Sequence, residues 1–306
     1  MKVIRICRVL ALTVLSVLAG CAIAPADSVR ISPERIGVCS WSWHKPMSGV
    51  AEEMAAAGVK GIHLALGPFI SPDGRHGGAE SEQTLEFVRQ KVKSGEWRLM
   101  STMIGMKGED YSTLDTIRET GGIVPDGTWE TNKRIVTRGA RLTQELGCRY
   151  MSTHAGFLDE SNPRALAKFV ERVTWMRDEC RKYGVELILE SGQETAEDLA
   201  RFMTKVPGVG INFDPANMVL YAKGRPKEAL KLLSQWIRQV HVKDAVTTKV
   251  PGTWGEEVPW GEGEVGGKAF LAELEALGYT GNYVVEREAG ASRVHDIRKA
   301  IRGLED

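Results

Sequence analysis

The stretch VELILESGQETAEDLARFMTKVPGVGINFDPANM, residues 185–218, decides the fold. It contains a short apolar run, VELILE, then the segment TAEDLARFMTK, and then a second apolar run, VGINFD. The middle segment has apolar residues three and four positions apart, which predicts an amphipathic helix. The flanking runs have the length and composition of buried strands. A strand, a helix and a second strand in this order form the repeating unit of parallel sheets.

The same unit recurs along the chain from residue 36 onward. Helical segments separate the predicted strands, and several of them end at a glycine suited to a helix C-cap. The predicted strands cover residues 36–41, 61–66, 98–104, 148–154, 185–190, 209–214, 237–242 and 282–286. Eight such units predict an α/β fold, a single (β/α)8 TIM barrel over residues 34–306. A doubly wound open sheet is the alternative that the pattern leaves open.

Two long connections, residues 105–127 and 245–267, follow the third and seventh predicted strands. Both leave the carboxyl end of a strand, where barrels build their active sites, so we predict substrate loops. The second loop contains Gly261, Gly263 and Gly266 in a G-x-G-x-x-G pattern. A dinucleotide site requires a strand directly before that pattern. Strand seven ends well before it, so we assign the glycines to the substrate loop.

The N-terminus has the features of an export signal. Three basic residues precede an apolar run, residues 9–18, that is too short to cross a bilayer. Residues 18–21, Leu-Ala-Gly-Cys, resemble the lipobox of bacterial lipoproteins, which implies acylation of Cys21. We expect a signal peptide at 1–20, a tether at 21–33, and an exported protein anchored by lipid on Cys21. Alanine at position 22 then implies the outer membrane, facing the periplasm.

Four strand ends in the second half of the chain carry potential metal ligands. Strand alternation places them on one face, pointing into the barrel. They are Glu190, Asp214, His241 and Glu286, with Glu288 as the alternative for the last position. Three converging carboxylates would repel one another, and a divalent cation removes that conflict. The set predicts one divalent ion, with Mn²⁺ favoured and Mg²⁺, Co²⁺ or Zn²⁺ as alternatives.

These residues lie in motifs that resemble the xylose isomerase-like barrels. That superfamily includes sugar isomerases, ketose 3-epimerases, inosose dehydratases and endonuclease IV. The motifs are LILESGQET, VGINFDPANM, IRQVHVKDA, PGTWGEEVPWGEGEV and YVVEREAG, and the resemblance extends over about residues 36–302. It is strongest to the bacterial sugar phosphate isomerase/epimerase branch. The resemblance implies that the metal is bound by Glu190, Asp214, His241 and Glu286.

The predicted activity is that of a metal-dependent sugar isomerase or epimerase that acts through an enediolate. Glu190 and Glu286, on strands across the site, are the predicted acid and base. A keto-sugar dehydratase or a keto-glycoside lyase with the same site is the alternative. A non-catalytic sugar-binding lipoprotein is a further one. Export and the lack of a phosphate-binding motif favour a non-phosphorylated ketose or keto-sugar.

Three further residues are predicted to contact the sugar substrate. His154 ends the fourth predicted strand, and Lys243 shares the face of His241. Asn217 stands where many ketose epimerases of the superfamily have a histidine, so the hydroxyl contact made there is expected to differ.

Charge and cysteine content limit the remaining classes. The chain of 306 residues has 40 basic and 40 acidic residues. Residues 1–20 contain three basic residues and no acidic ones, so their removal gives the mature chain a small negative net charge. A mildly acidic chain with six histidines argues against the basic groove and multiple zinc ligands of endonuclease IV. We therefore expect no nucleic-acid partner, while the oligomeric state stays open. Cys39 and Cys148 are expected to be buried small hydrophobes, and one disulfide stays open.

Overall fold

A closed barrel of eight parallel strands forms the centre of the computed structural model, which describes residues 29–75 and 77–306. The described residues form ten strands, of which eight make the barrel: β1 (Ile36–Cys39), β2 (Gly61–Ala65), β3 (Arg98–Met103), β4 (Tyr150–Thr153), β5 (Glu186–Glu190), β6 (Gly210–Phe213), β7 (Ile237–Val242), β8 (Asp244–Val246), β9 (Glu256–Val258) and β10 (Asn282–Val285). Around the barrel the order is β1-β10-β7-β6-β5-β4-β3-β2, and β8 pairs with β9 as a separate antiparallel hairpin. This confirms the predicted (β/α)8 TIM barrel and excludes the open sheet.

Helices follow the strands around the outside of the barrel. They are α1 (Met47–Ala57), α2 (Ala79–Lys93), α3 (Leu114–Thr120), α4 (Asp126–Glu145), α5 (Pro163–Lys182), α6 (Ala196–Lys205), α7 (Pro215–Leu220), α8 (Pro226–Leu233), α9 (Gly267–Ala276) and α10 (Arg293–Glu305). Local capping explains several of the starts. Thr195 accepts a hydrogen bond from Asp198 N at the start of α6, and Asn162 caps α5 in the same way. No helix among the described residues is long and apolar enough to cross a membrane.

The strands separate an outer apolar layer from a polar interior, as the alternation predicts. Leu187, Ile211 and Val240 are fully buried beneath the helices. In the same layer Phe213 stacks on Phe270 of α9, with ring centroids 6.1 Å apart. The barrel interior holds a small apolar cluster of Cys39, Met100 and Val284. Polar side chains fill much of the space above it, and this prepares a polar site at one end of the barrel.

Several strands end earlier than the sequence predicts. The first predicted strand, 36–41, ends at Cys39 and continues as a 3-10 turn, Ser40–Trp43. His154, Asp214 and Glu286 likewise come directly after their strands rather than within them. The turn after each strand places these side chains at the barrel mouth. The two predicted loops contain α3 and the β8–β9 hairpin.

The predicted signal peptide, Cys21 and the tether up to residue 28 lie outside the described residues. The described part of the predicted tether lies against the barrel. Ile31 is buried, and its backbone N–H donates to the carbonyl of Leu304 in α10 (2.7 Å). Cys39, Cys148 and Cys180 are all buried and free, so no disulfide links the described cysteines.

Candidate metal centre and substrate cavity

Four buried side chains meet at the carboxyl end of the barrel. One potential ligand atom from each lies within 4.8 Å of the other three, and the residues are Glu190, Asp214, His241 and Glu286. His241 Nδ1 is the central atom, at 3.6 Å from Glu190 Oε1 and 3.5 Å from Asp214 Oδ2. It lies 3.2 Å from Glu286 Oε2. The structure thus brings together the four residues that the sequence predicts as ligands.

Two atoms in this cluster show that it fits a cation. Asp214 Oδ2 and His241 Nδ1 are buried and have no hydrogen-bond partner in the described part of the chain. Buried polar atoms in proteins are normally paired, and the 3.5 Å between these two atoms is long for a hydrogen bond. Three carboxylates and one imidazole nitrogen form a donor set suited to a divalent ion. The four residues therefore fit a metal.

Asp214 has a second role that orients it. Its backbone follows β6 and caps α7, where Oδ1 accepts from Asn217 N (2.9 Å). Its own N–H donates to Ser191 Oγ (3.1 Å). One carboxylate oxygen is thus used by the helix, which leaves Oδ2 for the cluster. Asn217, predicted as a substrate contact, lines the cavity and donates through Nδ2 to Glu190 Oε1 (3.3 Å).

For two members of the cluster, the charges of neighbouring groups outweigh burial and decide the direction in which the pKa shifts. Burial alone would lower the pKa of His241, but the charges of Glu286 and Glu190 outweigh it and hold the pKa well above the usual value. Burial raises the pKa of Glu286, but Lys243 and His241 outweigh it and hold the pKa well below the usual value. Asp214 behaves differently, because burial raises its pKa despite the nearby charge of Lys243.

His154 and Lys243 hold the two glutamates that line the cavity. His154 Nε2 lies 3.2 Å from Glu190 Oε1. Burial lowers the pKa of His154, but the charge of Glu190 outweighs it and raises the pKa to about 9. Lys243 Nζ donates to Glu286 Oε2 (3.0 Å) and to Glu288 Oε2 (2.9 Å). Glu288 is half exposed and contacts Lys243, so it lies outside the central cluster while Glu286 lies within it.

A cavity of about 640 Å³ opens above the cluster. Both predicted substrate loops contribute to it, through Glu109 and Tyr111 from the first and Trp254 and Glu257 from the second. Aromatic side chains form much of its wall: Trp41, Tyr111, Tyr221 and Trp254. Aromatic rings present broad apolar faces, which suit the C–H faces of a sugar ring. Carboxylates and aromatic rings therefore surround the space next to the candidate metal ligands.

Sequence reasoning missed several residues of the site. Trp41 donates through Nε1 to Glu286 Oε1 (2.7 Å), although a tryptophan at a strand end is usually assigned to the core. Glu257 is held by Arg287 Nη1 (2.8 Å), which belongs to the YVVEREAG motif. The position of Glu257 in the long loop after the seventh predicted strand was the signal that could have identified it as a site residue. Glu109 accepts from the backbone N–H groups of Met106 and Gly122.

The G-x-G-x-x-G segment folds around a carboxylate of this chain. Asp244 accepts hydrogen bonds from the N–H groups of Gly261 (3.0 Å) and Val265 (3.0 Å). A Cβ atom at Gly263 would lie 2.3 Å from Asp244 Oδ1, so only glycine permits this approach. The glycines thus organise the loop that carries the hairpin and part of the cavity wall.

The family of the chain follows from comparison with known proteins. Residues 51–306 match the family described as Xylose isomerase-like TIM barrel, and the chain belongs to that family. SgbU of Escherichia coli K12, a putative L-ribulose-5-phosphate 3-epimerase, is 26% identical over 250 residues, which are 72% of this chain and 86% of SgbU. The uncharacterized protein YihM of the same organism is 29% identical over 204 residues, or 65% of this chain. That match spans 61% of the length of YihM.

Solved structures agree with this assignment. A xylose isomerase domain protein from Planctomyces limnophilus has a TM-score of 0.70 and 29% identity, over 83% of this chain and 87% of its own. Other structures at 15–17% identity share the fold alone. They include sugar epimerases, a probable dehydratase, and proteins solved with zinc or magnesium.

Proposed function

We propose that this protein is a divalent-metal-dependent sugar isomerase or epimerase that forms an enediolate on a non-phosphorylated ketose or keto-sugar. One observation carries the proposal. Glu190 and Glu286 belong to the metal cluster and also line the substrate cavity, on different strands of the barrel. Membership of the family and the likeness to SgbU, a putative sugar epimerase, support the same reaction class. Mn²⁺ is the ion we propose.

The chain's own groups can move the proton. Glu190, Asp214, His241 and Glu286 would hold the divalent ion, which would supply the Lewis acidity that makes a C–H next to a substrate carbonyl acidic. The pKa of Glu190 is about 2 because His154 and His241 outweigh the effect of burial, so its carboxylate is ionised and able to accept that proton. Glu286 lies beside Lys243, a group that carries protons. If a proton returns to the same carbon from the Glu286 side, the configuration of that carbon is inverted, as in an epimerase. If the proton is delivered to the neighbouring carbon instead, the carbonyl group moves, as in an isomerase.

The charge of the cavity supports a substrate without phosphate. Lys243 is the only lysine or arginine among the described residues that line it, and two glutamates already contact it. Glu109 and Glu257 add further acidic groups to the wall. A sugar phosphate carries a charge of about −1.5 to −2 at neutral pH, which these carboxylates would repel. The proposed substrate therefore differs in charge from the one for which SgbU is named.

Hydrogen exchange tests the reaction directly. Ketoses and keto-glycosides are incubated in D₂O with Mn²⁺-loaded protein, freed of Mn²⁺, and analysed by NMR. We expect deuterium only at the carbon next to the carbonyl. An inverted centre, a migrated carbonyl or a released group then identifies an epimerase, an isomerase or, as the second candidate, a dehydratase or lyase.

Variants provide the controls. Glu190→Gln and Glu286→Gln should each reduce exchange by at least about a hundredfold, the usual scale of general acid and base catalysis. Glu288→Gln, which removes a carboxylate next to Lys243 but outside the cluster, should retain exchange. Exchange that survives both cluster variants or a chelator would contradict the proposal, whereas sugar binding by the wild type without any exchange would favour a sugar-binding role.

We also propose that the protein is exported and anchored by a lipid on Cys21, in the outer membrane facing the periplasm. The basic residues, the short apolar run and the Leu-Ala-Gly-Cys sequence support this proposal. The intact mass of the membrane-extracted protein should show a lipidated Cys21 N-terminus. A soluble product cleaved at another residue would contradict it.

A further inference from the structure

A network of buried polar side chains lies inside the barrel, directly beneath the metal cluster. Its members are fully buried and come from β2, β3, β6 and β7: His63, Ser101, Asn212 and Gln239. Gln239 is the centre of the network and is hydrogen-bonded to each of the other three residues, at 2.7–3.2 Å. The network begins at one proposed metal ligand, Glu190, and ends at another, His241. The direction of its hydrogen bonds can be worked out residue by residue.

The Glu190 carboxylate fixes the orientation of the Asn212 side-chain amide. An ionised carboxylate only accepts hydrogen bonds, so the Asn212 atom 3.1 Å from Glu190 Oε2 is the amide nitrogen Nδ2. Nδ2 also donates to Ser152 Oγ (3.3 Å), which uses its second hydrogen. Asn212 Oδ1 must then face Gln239, and it accepts from Gln239 Nε2 (3.1 Å).

The orientation of the Gln239 amide in turn fixes the direction of its hydrogen bond to His63. Its oxygen, Oε1, accepts from Ser101 Oγ (2.7 Å), which agrees with the orientation that Asn212 requires. The second hydrogen of Gln239 Nε2 points at His63 Nδ1, 3.2 Å away. A donor aimed at Nδ1 means that this nitrogen carries a lone pair and no proton.

His241 needs such an acceptor. A histidine that binds a metal through Nδ1 carries its proton on Nε2, and that N–H requires a partner. Asn212 Nδ2 lies 3.0 Å from Nε2, but both of its hydrogens are used elsewhere and it cannot accept. Cys39 Sγ lies 3.8 Å away and is a weak acceptor. His63 Nδ1, at 3.2 Å, is the remaining partner, and its one lone pair then accepts from both His241 Nε2–H and Gln239 Nε2–H in a three-centre hydrogen bond.

We propose that His63 is a positioning residue that accepts the His241 Nε2–H and so holds His241 in the tautomer that presents Nδ1 to the metal. The amides of Asn212 and Gln239 fix the donor and acceptor directions of the hydrogen bonds between Glu190 and His63. One proposed metal ligand, Glu190, therefore orients another, His241, through the barrel interior. The inference rests on the metal centre of the proposed function. It adds that the ring-nitrogen partner of His241 is a neutral imidazole rather than a carboxylate or a backbone carbonyl.

The wild-type protein tests the hydrogen bond directly. In ¹⁵N-labelled, Zn²⁺-loaded protein, we expect a downfield His241 Nε2–H proton and a scalar coupling between His241 Nε2 and His63 Nδ1 across the hydrogen bond. Zn²⁺ serves as the probe because it is diamagnetic. A Nε2–H proton that exchanges freely and shows no such coupling would overturn the proposal.

Variants test the consequence for metal binding. His63→Leu should weaken Zn²⁺ and Mn²⁺ binding by roughly 10- to 100-fold in chelator competition, the usual effect of removing a group that orients a ligand. His63→Asn, which keeps an acceptor near the position of Nδ1, should recover part of this loss. Cys39→Ala, which removes the other group near Nε2, should bind like wild type. The unfolding temperature of each metal-free variant separates a folding defect from a binding defect.

The outcomes distinguish this inference from the proposed function. A wild-type protein that binds no metal would overturn both. Normal metal binding in His63→Leu would overturn the inference and leave the metal centre standing. Two equivalents of Zn²⁺ in wild type and one in Cys39→Ala would also overturn it, because Cys39, His63 and His241 would then be ligands of a second ion.

Discussion

Replacing Asp214 by asparagine should separate the stability of the metal-free protein from its response to metal. Asparagine keeps the oxygen that accepts from Asn217 N at the start of α7 but removes the negative charge. Burial raises the pKa of Asp214, so folding disfavours its ionised form, and Oδ2 has no hydrogen-bond partner among the described residues. We therefore expect the metal-free Asp214→Asn variant to unfold at the wild-type temperature or slightly above it.

The metal-loaded proteins should differ in the opposite sense. Metal at 100 times its Kd stabilises the wild type by about 2.7 kcal/mol, or roughly 4–5 °C in Tm for a chain of this size. A unit charge about 4 Å from another is worth about 4 kcal/mol at an effective dielectric constant of 20, so loss of one anionic ligand should weaken binding about 10³-fold. At the same metal concentration, the variant then gains less than about 0.1 kcal/mol.

Calorimetry with Mn²⁺ and with EDTA measures both quantities on the same samples. Glu288→Gln is the matched control, because it removes a carboxylate that contacts Lys243 but lies outside the cluster. It should retain the full metal-induced rise in Tm. A full rise in Asp214→Asn would refute the assignment of Asp214 as a ligand. A metal-free variant that unfolds several degrees below wild type would show that the charge of Asp214 stabilises the fold.

Two further predictions concern residues outside the cluster. Burial raises the pKa of Glu194 to about 7, so the stability that its protonated form contributes is present below about pH 4.3 and is lost as the pH rises towards 7. Glu194→Gln should remove this dependence and stabilise the protein at pH 8 by at most roughly 4 kcal/mol, and an unchanged profile in urea titrations would contradict it. Gly263→Ala forces a Cβ within 2.3 Å of Asp244 Oδ1 and should cost roughly 1–3 kcal/mol. Gly127→Ala, where a Cβ meets open space, is its control, and equal Tm values for the two variants would contradict the role of Gly263.

Much of the fold was predictable because its signals are local. The repeat of strand and helix, the capping residues such as Thr195, and the period-two alternation are each contained in short windows of sequence. In parallel strands that share one direction, residues at successive carboxyl ends must meet at one end of the barrel. This is why Glu190, Asp214 and His241 were identified as a group before the structure.

The turns that follow the strands were less predictable. The sequence extends the first strand to residue 41, whereas β1 ends at Cys39 and a 3-10 turn follows. An apolar run does not show where its backbone leaves the sheet, because the ladder hydrogen bonds of a neighbouring strand decide that point. The roles of Asp214 as both a helix cap and a member of the cluster likewise required the position of α7.

The residue types at the strand ends can be read from the sequence alone, and they predict the kind of site. The groups that contact these residues depend on how the barrel closes. Trp41 lies in the turn after β1 and His63 lies in β2, 245 and 178 residues from Glu286 and His241, the groups they contact. Those contacts exist because β1 pairs with β10 and closes the barrel. Closure of the barrel pairs the first strand with the last one in a fixed register. No local sequence pattern encodes the side-chain contacts that result.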